Sequence, residues 1–399
     1  MARYSRVMWQ AEMRVDLDAI RYNVGLLRAA TTPTAELMVV VKADGYGHGA
    51  VPVARAALQA GADWLGVCTL DEALALRAAG ITAGVFAWLY APGMALERGV
   101  AADIDLSAAS LGGLAEVVAA ARAAGRPARL HLKVDTGLSR GGATADDWPA
   151  LVEAAAKAAA DGAVEVVGVW SHFVYSDSPA HPVNDAQVRL FTEALAVAER
   201  SGIAPRYRHL ANSAAVLTRP DSHFDLVRTG IAVYGLTPIP GRAAEFGLRP
   251  AMTVRARVML TKRVPAGQGV SYGHTYHTDA ESTVAVLPLG YGDGIPRSAS
   301  SRAPVLVAGA VRPIAGRVCM DQFMLDCGDA PVAAGDVAVL FGPGTHGEPT
   351  ADDWAQACDT INYEIVTRMG SARVPRVYSG EPGGAAPPAA IDSQGPEVW

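Results

Sequence analysis

Between about residues 18 and 228, short β-like runs alternate with alanine-rich helical segments, and few folds can absorb such an alternation. The apolar runs fall at 38–41, 64–67, 84–89, 103–106, 128–134, 164–170, 207–210 and 224–227. Helical stretches such as 71–79, 111–124, 148–160 and 185–200 lie between them. About eight such repeats, in a length close to the roughly 250 residues typical of the fold, predict an α/β architecture with an N-terminal (β/α)8 TIM-type barrel. After about residue 250 the texture changes to short strands and turns, at 253–261, 283–287, 304–307, 312–314, 323–326 and 337–341, which predict a C-terminal all-β domain. The expected division is a barrel over 13–249, a strand domain over 250–378 that residues 1–12 can join, and a Gly-, Pro- and Ala-rich flexible tail over 379–399.

A barrel places its functional groups at the C-terminal ends of its strands. Lys42 ends the first run, Arg140 lies just past the fifth, His172 follows the sixth, Asn212 and Ser213 follow the seventh, and Arg228 follows the eighth. A lysine closing a strand as apolar as 38–41 either snorkels to water or keeps its amine in a partly dry pocket, where desolvation makes it nucleophilic. The loop behind it, Asp44-Gly45-Tyr46-Gly47-His48-Gly49, suits a ligand. Arg228-Thr229-Gly230-Ile231 stands where this fold recurrently binds phosphate, and Gly230 lets backbone N–H groups approach an anion. Singly, His172 reads as a buried core histidine, Arg140 as a solvated charge and Ser213 as a helix cap; together, at one end of a barrel, they read as a site.

Composition narrows the function classes. A net charge of −6 with no long basic block argues against nucleic acid as a partner. No apolar run reaches the length of a membrane span, and residues 1–19 carry no signal-like apolar core, so a cytoplasmic protein without a membrane partner is expected. The four cysteines, Cys68, Cys319, Cys327 and Cys358, form no CxxC pair, so neither a metal site nor a disulfide framework is indicated.

Nine segments in order, VVVKADGYGHGA (39–50), HLKVDTGLSR (131–140), WSHFVYSD (170–177), HLANSAA (209–215), DLVRTGIAVYG (225–235), VSYGHTY (270–276), LGYGDGIPR (289–297), AGRVCMDQ (315–322) and TINYE (360–364), resemble the alanine racemases over about residues 14–378. That resemblance implies a pyridoxal 5'-phosphate enzyme that interconverts L- and D-alanine by a two-base mechanism and supplies D-alanine for peptidoglycan. It implies a homodimer whose active sites are shared between subunits. By the same similarity Lys42 carries the cofactor as a Schiff base, and Tyr46, Asn212, Ser213, Gly230, Ile231 and Tyr363 complete its binding. Arg228 faces the pyridine nitrogen, where a cation disfavours ring protonation. Lys42 and Tyr272 are the two bases, Tyr272 coming from the partner subunit, with His172 and Arg228 in support. Arg140 and the Met320 backbone bind the substrate carboxylate with Asp321 nearby, while Tyr291, Arg317 and Ile361 form the entrance.

Lys133 occupies a position that some members carbamylate, and the sequence leaves open whether it is modified or a plain lysine. Ser139 in place of the usual Gly before Arg140, and Gly141 in place of a bulkier residue, predict a looser Arg140 loop. A broader serine or lysine racemase shares the motifs. A non-catalytic cofactor carrier on the same barrel would lack the strand domain that carries Tyr272.

Overall fold

The computed structural model describes residues 9–380, so residues 1–8 and most of the expected tail, 381–399, lie outside the described residues. The described chain divides into two units: Ile20–Gly45 with Gly49–Leu248, and residues 9–19 with Tyr46–His48 and residues 249–380.

The first unit is a barrel that begins at Ile20 rather than at the expected residue 13, because Ala11–Asp16 pairs with Met252–Arg257 in the second unit. Its strands are β1 Glu36–Val40, β2 Trp64–Val67, β3 Gly84–Ala87, β4 Ile104–Ala108, β5 Ala128–Lys133, β6 Val164–Trp170, β7 Tyr207–His209 and β8 Leu226–Thr229. Each pairs in parallel with its neighbour, and β1 pairs with β8. Between β7 and β8 the ring is tied by backbone bonds from Asp225 N–H to Arg208 O at 3.0 Å and from Arg228 N–H to Ala211 O at 2.9 Å.

Period-two alternation decides what the barrel encloses. Met38, Trp64, Phe86, Trp170, Tyr207 and Leu226 pack together as an aromatic-rich core. The same inward parity brings in polar residues, since Asp105, His131 and His209 are all at most 1 % exposed. Gly168 makes this possible: a Cβ there would stand 2.0 Å from His131 Nδ1. One parity step beyond His131, Trp170 and Leu226 lie Lys133, His172 and Arg228, and two steps beyond Met38 lies Lys42, so the strands themselves direct these groups to the barrel mouth.

The second unit is β-rich. A six-stranded sheet runs Ala310–Pro313, Pro304–Val307, Val337–Phe341, Met252–Arg257, Ala11–Asp16, Arg376–Ser379, and smaller sheets are built on Leu260–Val264, Ser282–Leu287 and Phe323–Asp326 and on Gly269–Val270 with Tyr276–His277. The strand expected over 253–261 is two strands in different sheets. Val258 N–H turns to Asp336 O and Met259 N–H to Val286 O, so the chain changes sheet at a point that no Gly or Pro marks. Two helices, Ala351–Cys358 and Asn362–Arg368, accompany the strands, and Tyr363 rides on the second. Among the described residues no helix is long and apolar enough to cross a membrane, and no group of acidic, His and Cys side chains could hold a metal ion.

Candidate active site

Lys42 follows β1 on a backbone that few residues adopt. Ala43, Asp44, Gly45 and Tyr46 all have positive φ, between 51° and 63°, forming a left-handed turn. Each non-glycine residue there costs about 1–2 kcal/mol, a strain that must be held from outside the turn. Gly45 N–H reaches Val41 O at 2.8 Å, Asp44 Oδ1 accepts from Ala50 N–H at 2.9 Å to cap the next helix, and Glu72 Oε1 accepts from Ala43 N–H at 2.6 Å. Enclosure lowers the Lys42 pKa below its ordinary value; Arg140 and Arg228 push the same way, while Cys68 and Glu72 oppose them. The amine, 5.9 Å from the Trp88 ring centre, is thus easier to deprotonate than a surface lysine.

Arg228 is the end of a buried chain that the sequence reading missed. Its Nη1 donates to His209 Nδ1 at 3.1 Å, His209 Nε2 faces His131 Nδ1 at 2.9 Å, and His131 Nε2 faces Asp105 Oδ2 at 3.0 Å. Only one proton arrangement satisfies every link. The guanidinium must donate, so His209 carries its proton on Nε2; Asp105 must accept, so His131 does the same. All bonds therefore point from Arg228 to Asp105, whose charge Arg129 also meets at 2.8 and 3.1 Å. The second Arg228 nitrogen donates to Ser171 O at 2.7 Å and faces His172 Nδ1 at 3.3 Å. Burial pulls the Arg228 pKa down to about 9, which still leaves it a cation at neutral pH.

The same enclosure, with Arg228, holds His172 and His209 well below the ordinary histidine range. Both stay neutral when folded but regain a pKa near 6.5 when unfolded. The unfolded chain then binds more protons at lower pH, so their contribution to stability is complete above about pH 6.5 and is lost as the pH falls. The urea midpoint is expected to drop between about pH 7.5 and about pH 5.5; an unchanged midpoint would contradict neutral histidines.

Lys133 lies 4.3 Å from the Trp170 ring centre, and burial, then Arg228 and Arg140, lowers its pKa to about 8. The Arg140 loop is not loosened. Asp135 Oδ1 accepts from the N–H groups of Gly137, Leu138 and Ser139 at 2.9, 3.0 and 3.2 Å, and Ser139 takes the left-handed φ of 54° that a glycine would adopt without strain. Gly141 lies beside Lys133: a Cβ there would sit 3.5 Å from the amine, an ordinary contact distance.

Ser213, Asn212, Gly230 and Ile231 come together behind the mouth. Ser213 Oγ accepts from Gly230 N–H at 2.8 Å, leaving its own O–H to donate elsewhere. Asn212 caps the short helix Ser213–Thr218 through Ala215 N–H and donates to Ser176 Oγ at 2.7 Å. Ser213, Ala214 and Ile231 are at most 5 % exposed, and their N–H groups meet no acceptor among the described residues. Buried donors without acceptors fit an anion such as a phosphate.

The remaining sequence-designated residues belong to the β-rich unit. Tyr46 packs against Tyr363 with ring centres 6.2 Å apart, and Gly47 lets the loop approach the helix Asn362–Arg368 so closely that a Cβ would lie 2.4 Å from Val366 O. Tyr272 projects from a turn begun by Ser271 at φ 65°, whose Oγ donates to Arg317 O at 2.6 Å. Gly290 admits the turn that carries Met320 and Asp321: a Cβ there would be 2.3 Å from the Cys319 and Met320 carbonyls. Arg373 links Asp321 to the buried Asp293. Tyr272, Tyr291, Met320 and Ile361 are among the exposed large hydrophobic side chains.

Sequence reasoning passed over Asp105, His131, His209 and Glu72. The signal for the two histidines was parity, since His131 sits two residues before Lys133 and His209 two residues after Tyr207 on inward-facing strands.

The model for the family described as alanine racemase, N-terminal domain, matches residues 15–238, and that for alanine racemase, C-terminal domain, matches 251–378. An alanine racemase of Salinispora arenicola is 71 % identical over 374 residues, 94 % of this chain and 100 % of the relative. Among solved structures, an alanine racemase from D-cycloserine-producing Streptomyces lavendulae is 55 % identical with a TM-score of 0.93, covering 95 % of this chain and 99 % of that one. One from Bacillus anthracis with bound L-Ala-P is 34 % identical with a TM-score of 0.85, covering 94 % and 97 %.

Proposed function

We infer that this chain, which belongs to the alanine racemase family, interconverts L-alanine and D-alanine with pyridoxal 5'-phosphate, the cofactor of that family. One observation carries the reading: a lysine of lowered pKa on a rigidly turned strand end, in the same unit as buried N–H donors that lack an acceptor and a buried guanidinium. Lys42 holds the cofactor through its amine. Asn212, Ser213, Gly230 and Ile231, with Tyr46 and Tyr363, hold the phosphate, for which the Ser213 hydroxyl and the Ser213 and Ile231 N–H groups have the right chemistry. When bound, the cofactor supplies the electron sink that acidifies the Cα–H bond of an amino acid. Arg228, a buried cation whose placement is secured by the histidine chain behind it, would stand toward the cofactor's ring nitrogen, where a positive charge would disfavour ring protonation and restrain that sink.

Racemisation needs an acid–base group on each face of Cα. Lys42 Nζ serves one. Tyr272 of a second copy of the chain serves the other, in a homodimer with shared sites; its 71 % exposed ring supports that role. His172 Nδ1 accepts from Arg228, which leaves Nε2–H as a donor able to stabilise the Tyr272 phenolate. Arg140 and the Met320 amide bind the substrate carboxylate beside Asp321. Tyr291, Arg317 and Ile361 form an entrance that favours a methyl side chain. D-alanine then serves peptidoglycan synthesis in the cytoplasm, a reducing compartment suited to cysteines that are all unpaired.

The test is incubation of purified protein and pyridoxal 5'-phosphate with L-alanine, L-serine or L-lysine, followed by chiral chromatography. D-alanine should form fastest. No D-alanine would refute the reading, and faster D-serine or D-lysine would replace it with a broader racemase.

Lys133, with a pKa of about 8, is partly neutral at physiological pH, as reaction with carbon dioxide requires. Its nitrogen bonds to the carbon of CO2 and a proton leaves, converting a cation that repels Arg140 into an anion that orients it. Activity should fall in CO2-depleted buffer, recover with bicarbonate, and recover faster as pH rises toward about 8. Lys133→Ala should be indifferent to bicarbonate, and a wild type equally indifferent would leave Lys133 unmodified.

A further inference from the structure

The left-handed turn behind Lys42 is clamped by a residue from a different βα unit. Glu72 lies in the first turn of the helix Leu70–Ala78, which follows β2, and it completes a capping box with Thr69: Glu72 N–H donates to Thr69 Oγ1 at 3.3 Å, and Glu72 Oε2 accepts from Thr69 N–H at 3.0 Å. A capping box accounts for those two bonds and no more. Oε2 also accepts from Cys68 N–H at 2.8 Å, and Oε1 turns away from its own helix to accept from Ala43 N–H at 2.6 Å. Three backbone donors from two strand ends thus converge on one half-buried carboxylate.

The chemistry is selective. Every partner is an N–H, so both oxygens must accept, and a glutamine amide would set its NH2 against one of those donors. Ala43 also needs this bond because its left-handed conformation, at φ 52° and ψ 49°, strains a residue that has a Cβ. We propose that Glu72 is the positioning residue for the reacting lysine: its carboxylate locks the Ala43 amide in the left-handed turn and so fixes where Lys42 presents its amine at the barrel mouth. The proposal rests on Lys42 being the residue that reacts. The lysine amine is enclosed by protein and lies in the field of Cys68, Arg140, Glu72 and Arg228, and Glu72 also bonds the backbone next to it. A negative charge there opposes the lowering of the lysine pKa that enclosure and the two arginines produce.

The test compares full-length wild type, Glu72→Gln and Thr69→Ala, with and without pyridoxal 5'-phosphate. Two readouts independent of turnover are hydrogen exchange, by mass spectrometry on peptides spanning Val41–Tyr46, and the pH midpoint for acetylation of Lys42 by acetic anhydride in cofactor-free protein. Loss of a charge-assisted bond should speed exchange at this turn roughly tenfold or more in Glu72→Gln, and removal of the carboxylate should lower the Lys42 labelling midpoint. Thr69→Ala removes the other half of the capping box and weakens the same helix, yet should alter neither readout. Unchanged exchange and labelling in Glu72→Gln, or the same changes in Thr69→Ala, would overturn the proposal. Should Glu72→Gln fail to fold, Glu72→Asp keeps the charge but is one methylene short of Ala43; it should show the faster exchange, and unchanged exchange there overturns the proposal equally. Neither readout depends on racemisation, so wild-type failure to form D-alanine would reject the functional reading and leave these measurements to decide the clamp by themselves.

Discussion

Mixing inactive Lys42→Ala protein with inactive Tyr272→Ala protein is expected to restore racemisation to about a quarter of the wild-type rate. On the proposed mechanism each variant lacks one of the two proton carriers, so a homodimer of either would have no complete site. If subunits exchange freely, about half the dimers become heterodimers. With sites shared across the two-fold axis, each heterodimer holds one doubly damaged site and one intact site. A chain that builds its whole site alone cannot be rescued this way. Differently tagged subunits establish that exchange has occurred, and no recovery after exchange would reject the shared site. Truncating Tyr272 should cost little stability, because its ring is 71 % exposed. Inactivity of that variant therefore reports chemistry, provided its melting temperature stays close to wild type.

Arg228→Glu should damage both the fold and the reaction. The guanidinium donates to Ser171 O at 2.7 Å, His209 O at 2.9 Å and Leu210 O at 3.3 Å, and it faces the acceptor nitrogens of His209 and His172. A glutamate at this buried position offers those carbonyls no donor and brings a second anion to a chain that already ends on Asp105. Removing one member of such a network costs about 3–5 kcal/mol, so the melting temperature should fall sharply. In the fraction that folds, a carboxylate facing the cofactor's ring nitrogen would favour ring protonation and a stronger electron sink. Racemisation should slow and pyruvate, the product of transamination, should accumulate. A variant that melts with wild type and racemises without forming pyruvate would refute both the structural and the electronic role given to Arg228.

The barrel was legible because its evidence is local. Strand length, apolar parity and helical spacing are properties of neighbouring residues, and runs such as 111–124 and 148–160 coincide with the helices Leu111–Ala124 and Trp148–Ala160. The order of motifs along the chain was likewise enough to indicate the family. What sequence could not decide depends on which strands become neighbours and in what register. Asp105, His131 and His209 stand far apart in the chain; they form one directed chain because β4 pairs with β5, β5 with β6 and β6 with β7, while Gly168 leaves His131 its space. The change of sheet at Val258 and Met259 is invisible for a related reason, since partners at Asp336 and Val286 impose it on an otherwise continuous β-forming run. The glycines at 45, 47 and 49 announced a loop after Lys42, but only the folded chain sets Ala43 and Asp44 into a left-handed turn. That conformation is unfavourable for a residue with a Cβ, and it persists because a carboxylate from another repeat, brought alongside by the pairing of β1 with β2, holds the Ala43 amide in place.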